Sequence, residues 1–294
     1  MGACRASGPA RRSGGRRRAT KRAMERDVND FAEATRVEKI ADDRWGASIP
    51  EGWEQGRGAF GGLVVGTLIR ALEKLEEPER PLRALSAEIP SPVLPGHAEI
   101  RLTTLRRGSG LSSHEAHLVQ KDDAGEEAIV ARASGVFGKA RDVDLGWQPE
   151  PPALPDWREA NVLEGRALPP PFARHYRFRP TGPAPFAGGA EAVVEGWVEL
   201  ARPAERIGAP ELAGLIDAYW PSFFARSRAP RPAATVAFML HLTPAAARLD
   251  PSEPLFFRSR GHQVAEGYLF ERRELWSPRG ELVALNPQTF CIIR

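Results

Sequence analysis

The chain has 294 residues, 42% of them apolar and 27% charged, long enough for two structural units and too polar for a membrane protein. Its 41 Lys and Arg against 38 Asp and Glu give a net charge of +3, and a pI near 9.1 invites a nucleic-acid reading. The distribution argues against it: eight basic side chains and no acid fall in residues 1–23, leaving −5 for residues 24–294.

Residues 1–23 hold Arg5, Arg11, Arg12, Arg16, Arg17, Arg18, Lys21 and Arg22 among Ala, Gly and Ser. With no apolar run, the stretch is predicted as a disordered basic tail. It lacks the roughly 7–15-residue apolar segment of an export signal. It also fits a transit peptide or a weak nucleic-acid arm, and Met24, just before Glu25-Arg26-Asp27, reads as an alternative start. No run approaches the ~20 apolar residues of a membrane span. Cys4 and Cys291 are the only cysteines; with Cys4 in the tail, no structural disulfide is expected, and a cytoplasmic setting is.

Beyond the tail, residues 24–140 form the first predicted unit. Residues 37–50 read as extended, and Gly58-Ala59-Phe60-Gly61-Gly62 opens a helix over Leu63–Leu75, with apolar residues at 64, 65, 68, 72 and 75. Strands are predicted at 83–92, 97–107, 112–121 and 127–138. Residues 141–172 carry seven prolines (149, 151, 152, 155 and 169–171) and read as a connector, because proline at this density breaks helices and ladders alike.

Residues 173–294 repeat the plan. Two extended segments, 173–181 and 191–200, precede a helix opened by Pro210-Glu211 and predicted to reach Phe224. Strands at 233–243, 254–262, 264–276 and 281–293 follow. Ile129-Val130-Ala131 aligns with Leu282-Val283-Ala284, and Phe137 with Phe290, so Gly135 stands where the second half has Gln288. A long antiparallel sheet around one apolar helix per half would bury both elements.

This order, with Gly58-x-x-Gly61-Gly62 at a helix start, Thr104-Leu105-Arg106-Arg107-Gly108-Ser109-Gly110-Leu111-Ser112 running on to Gln120, and Leu282-Val283-Ala284 through Gln288, resembles acyl-CoA thioesterases of the thioesterase II type. The resemblance covers residues 35–294. It implies an α+β double hot-dog fold, two repeats each of a long antiparallel sheet wrapped around a central helix. It also implies hydrolysis of acyl-CoA, a hydrolase role in fatty acid metabolism, and a water oriented by an Asp on the second helix, a Thr or Ser on the next strand and a Gln near the C-terminus. No cofactor and no metal are implied. Neither a nucleic-acid nor a membrane partner is expected, and homo-oligomers are common in such folds.

The residues themselves support three positions. Asp217 is the only charged side chain in Leu212–Trp220, and a carboxylate in a helix apolar on nearly all sides must be paired, hydrogen-bonded or raised in pKa. It reads as a general base or as a carboxylate bound to backbone amides or an arginine. Gln288, in Asn286-Pro287-Gln288-Thr289-Phe290, has an amide able to hold a water; the preceding Pro287 favours an edge strand. Thr235 opens the strand after the Asp217 helix and reads as a water ligand or an ordinary strand residue.

The backbone N–H groups of Gly58, Gly61 and Gly62 read as a candidate oxyanion site or as a tight turn. Phe223, Phe224 and Met239 are expected to shape the acyl slot, and Arg106, Arg107, Arg226, Arg228 and Arg258 are candidates for CoA phosphates. The first helix carries no carboxylate matching Asp217, so one active site per chain is expected. His114 and His117, three apart in a strand, face opposite sides and make a poor metal pair. The alternative function is a non-catalytic acyl-CoA or lipid-binding hot-dog protein.

Overall fold

The computed structural model describes residues 1–2, 31–122 and 124–293. Apart from Met1 and Gly2, the basic tail lies outside the described residues, as do Cys4 and Met24.

After a short helix α1 (Phe31–Ala34), strands β1 (Val37–Lys39) and β2 (Arg44–Ile49) lead through a small hairpin, β3 (Glu54–Gln55) and β4 (Gly58–Ala59), into helix α2 (Gly61–Glu73). Strands β5 (Leu82–Glu88), β6 (Gly96–Arg107), β7 (Leu111–Lys121) and β8 (Glu127–Gly138) complete the first half. The second contains β9 (Leu163–Glu164), β10 (Tyr176–Pro180), β11 (Val193–Leu200), helix α3 (Ala209–Asp217), β12 (Ala233–Leu242), β13 (Leu255–Ala265), β14 (Tyr268–Trp276) and β15 (Leu282–Ile292).

Thirteen strands form one antiparallel sheet in the order β1-β2-β6-β7-β8-β5-β12-β15-β14-β13-β11-β10-β9. The order reads the same outward from the β5–β12 junction on both sides, save for the added β9. The halves are therefore two copies of one hot-dog unit, joined where Glu88 pairs with Ala237 and Ala84 with His241. Eleven of the thirteen residues of α2 are buried, all but Arg70 and Glu73, as befits a largely apolar helix enclosed by sheet. The helices pack closely: a Cβ on Gly62 would lie 2.9 Å from the Ala213 carbonyl oxygen. One continuous core contains side chains from both halves.

The proline-rich connector packs on the second half. Gln148 brackets the last hairpin, donating to the Gly280 carbonyl and accepting from Leu282 N–H, and the Trp197 indole donates to the Pro155 carbonyl at 3.1 Å. No helix among the described residues is long and apolar enough to cross a membrane.

Two local expectations change. Helix α3 ends at Asp217, not near Phe224; Pro221 cannot continue it, and Ser222–Ala225 is a separate 3-10 turn. Gln288 lies on a central strand, not at an edge, since β15 has partners on both sides. Pro287 is tolerated because the ladder to β12 is interrupted there. The Asn286 amide fills the gap, donating to the Met239 carbonyl at 2.5 Å.

Candidate active site

Asp217 is the last residue of α3 and is 5% exposed. A carboxylate at a helix C-terminus sits against the negative end of the macrodipole, so it needs donors. Its Oδ1 accepts from Arg273 Nη1 at 2.9 Å and from Gln288 Nε2 at 3.0 Å. The same Gln288 Nε2 donates to Thr235 Oγ1 at 2.8 Å. The structure thus brings together Asp217, Thr235 and Gln288, from a helix and two strands.

Thr235 reaches this cluster because of a β-bulge. On β12, Thr235 pairs with Phe290, Ala237 with Thr289 and Phe238 with Gln288, with a register shift at Val236. Strand residues three apart normally face opposite sides. The extra residue restores Thr235 to the face shared by Phe238 and Gln288, a common use of bulges beside functional sites.

The start of α2 forms the remaining wall. A Cβ on Gly61 would lie 2.9 Å from Asp217 Oδ2 and 3.8 Å from Thr235 Oγ1, so only glycine lets this backbone approach the carboxylate. The first N–H groups of a helix have no intrahelical acceptor. That of Gly62 is directed at Asp217, and that of Gly61 opens the helix at the same place. Gly58 is not part of this wall; it sits in the β3–β4 hairpin, packed against Pro92 and Val93.

Arg273 is the residue that inspection of the sequence missed. It is 1% exposed and donates to Asp217, to the Ile216 carbonyl at 3.2 Å and, through Nε, to Glu271 Oε1 at 2.6 Å. Glu271 Oε2 in turn accepts from the Ser222 N–H at 2.8 Å and its hydroxyl at 2.5 Å. Glu271-Arg272-Arg273-Glu274 looks like a solvated charge run. Period two places Glu271 and Arg273 on one face with Leu269 and Leu275, all of them buried, and that was the available signal.

Burial pushes the Asp217 carboxyl above its ordinary value of 3.8; Arg273, the Gln288 amide and the Gly62 N–H pull it down, and the Glu271 charge pushes it up. The upward direction is set by burial, which outweighs the donors, and the neighbouring Glu271 charge adds the smallest push. Asp217 Oδ2 and Gln288 Oε1 are buried acceptors without a hydrogen-bond partner among the described residues. Other buried polar atoms of the described residues also lack partners, but these two are acceptors joined through one hydrogen-bonded cluster. With the half-buried Thr235 hydroxyl, they can hold one small donor molecule.

The first half has no counterpart. Gly135 occupies the rung matching Gln288, pairing with Leu85 and His114. The space beside it is filled by Leu72, Leu82 and Phe137. Met239 is 43% exposed, since it alternates with buried Phe238 and Leu240 and faces away from the helices. It is therefore not part of an internal slot. Phe223 is buried with Leu269 and Phe290, and the half-buried Phe224 packs against them.

Comparison with known proteins agrees with this architecture. The family described as acyl-CoA thioesterase C-terminal domain matches residues 146–292, and its N-terminal counterpart matches residues 49–138. No curated protein sequence matches. Among solved structures, a conserved protein of unknown function with a hot-dog fold from Alicyclobacillus acidocaldarius is 22% identical, with a TM-score of 0.80 over 91% of this chain and 99% of that one. The acyl-CoA thioesterase II TesB2 from Mycobacterium marinum is 16% identical, with a TM-score of 0.68 over 90% of this chain and 98% of that one. A TesB protein from Mycobacterium avium subsp. paratuberculosis is 17% identical, with a TM-score of 0.73 over 90% and 99%. At such identities the structures speak for the fold, and the sequence match supplies the family. The chain is a double hot-dog protein of the acyl-CoA thioesterase family.

Proposed function

We propose that this protein hydrolyses acyl-CoA thioesters to a free acid and CoA, using a water held by Asp217, Thr235 and Gln288. The observation that carries this reading is the Gln288 amide bridging Asp217 Oδ1 and Thr235 Oγ1 at 3.0 and 2.8 Å, beside a helix start. Asp217 Oδ2 and Gln288 Oε1 accept the two hydrogens of the water. Thr235, whose oxygen already accepts from Gln288, is free to turn its O–H toward the water oxygen.

The thioester carbonyl lies with its oxygen toward the Gly61 N–H. The water oxygen attacks the carbonyl carbon, Asp217 takes the proton, and the negative charge moves to the carbonyl oxygen, where the N–H stabilises it. The carbonyl re-forms as the carbon–sulfur bond breaks, and the thiolate takes the proton from Asp217. The raised pKa of Asp217 suits both transfers, because a base poised closer to neutral pH returns its proton more readily.

Isotope labelling tests the direct attack. In a single turnover in ¹⁸O-water, the account predicts one ¹⁸O atom in the acid product and none in the protein. Label appearing first in Asp217 would mean that the carboxylate attacks the thioester itself.

A further inference from the structure

From Ala218 to Pro232, between Asp217 and the strand that carries Thr235, the chain contains no acidic residue and three arginines, Arg226, Arg228 and Arg231. All three are exposed, and none forms an ion pair with a described acid. Of the other arginines suggested by the sequence, Arg106 is equally exposed but lies on β6 in the first half, outside the cavity described next, and two are engaged elsewhere. Arg107 is bound to the Leu75 carbonyl and faces Glu76, and Arg258 is paired with Glu195 at 3.2 Å.

Arg226 and Arg231 line a cavity of about 740 Å³ with His262, Gln263 and Tyr268, and Glu266 is the one acid in its described wall. That volume lies in the range of small-molecule sites, roughly 300–1,000 Å³. Its lining includes Phe223, Leu269 and Ile292, which pack with Phe290 beside the Asp217 site. Leu269 pairs with Phe290, Phe290 pairs with Thr235, and the Arg273 guanidinium lies 5.1 Å from the Phe290 ring. From Gln288 to Ile292 is four residues along β15, about 14 Å at ~3.4 Å per residue. Both positions share the helix-facing side of the sheet.

We propose that this cavity seats the nucleotide end of a coenzyme A thioester, with Arg226 and Arg231 on its phosphates and Tyr268 and His262 beside the adenine. The inference rests on the hydrolase reading of the Asp217 site and extends it to how substrate is held. Unpaired arginines match phosphate oxygens by bidentate hydrogen bonds. On a body that is otherwise net acidic, this acid-free arginine segment draws a polyanion to one place. A concave, aromatic-edged site fits a nucleotide better than a flat protein surface.

The test is binding of adenosine 3′,5′-bisphosphate by isothermal titration calorimetry, alongside hydrolysis of one acyl chain carried on CoA and on N-acetylcysteamine. The wild type binds the bisphosphate. The double variant Arg226→Glu/Arg231→Glu binds it at least about tenfold more weakly, the loss of one or more charge-assisted hydrogen bonds. Its preference for acyl-CoA over the truncated thioester shrinks by a similar factor. Arg36→Glu, exposed in the other half and outside the cavity wall, retains wild-type binding. No binding by the wild type, or equal binding by the double variant, overturns the proposal. If the wild type hydrolyses neither thioester, the hydrolase reading fails, while the binding arm still decides the cavity.

Discussion

Replacing Arg273 with methionine strips the guanidinium shared by Asp217 and Glu271, bonded to them at 2.9 and 2.6 Å. Methionine fills much of the volume, so the perturbation is chiefly electrostatic. The side chains involved are 1%, 3% and 0% exposed, and solvent screening offers little relief. Removing one partner of a buried ion pair typically costs about 3–5 kcal/mol, and the bond to the Ile216 carbonyl is lost as well.

The deficit depends on pH. Asp217 is already raised above 3.8 in the folded protein, and losing Arg273 raises it further. Over the widened interval the folded variant binds more protons than the unfolded chain, so its stability falls as pH rises through that interval. Urea denaturation at pH 8 and pH 5 reads this directly. The expected result is a loss of about 3–5 kcal/mol at pH 8, visibly smaller at pH 5. A loss below about 1 kcal/mol, in the range of exposed pairs, or one equal at both pH values, would refute the argument.

On the proposed mechanism, the wild-type protein should show an acidic limb in kcat/KM lying above 3.8, the ordinary Asp value, because only ionised Asp217 accepts the proton from water. A limb at or below 3.8 would remove Asp217 as the base. Thr235→Val should lower kcat by roughly tenfold or more while Thr235→Ser retains most of it, the expected cost of losing a hydrogen bond to a charged or reacting group. Deleting Val236 should mimic Thr235→Val, because removing the bulge residue turns Thr235 to the opposite face; activity equal to wild type would contradict the bulge argument. Gly61→Ala, whose Cβ would lie 2.9 Å from Asp217 Oδ2, should cost ~10²–10³ in kcat, as for a lost oxyanion donor, with near-native circular dichroism.

The repeat, the central helices and most strands were legible because their signals are local. Alternation marks β7 and β8, apolar residues at helical spacing after a glycine-rich entry mark α2, and Pro210-Glu211 marks the start of α3, where the Glu211 side chain accepts from the Gly208 N–H at 2.9 Å. Asp217 was legible as a lone charge in an apolar helix. What pairs with it was not, since Arg273 lies 56 residues away and its strand reads as a charged surface until period two is applied. Pro287 misled by its usual edge preference; in this fold the neighbouring Asn286 side chain supplies the missing donor. Met239 misled because composition does not say which face of a strand a residue takes. The fusion of both halves into one sheet through β5 and β12 is a long-range pairing that no local pattern encodes.

The central claim is that Asp217 activates the water. The most direct measurement is release of free thiol from a panel of acyl-CoAs by the wild type and by Asp217→Asn, a nearly isosteric change at a buried position. The account predicts measurable release by the wild type and a loss of about 10²–10⁴-fold in the variant, with its thermal unfolding intact. Equal release by both proteins would contradict the mechanism. Ligand-dependent stabilisation by acyl-CoA with no release by either protein would show a binding module instead.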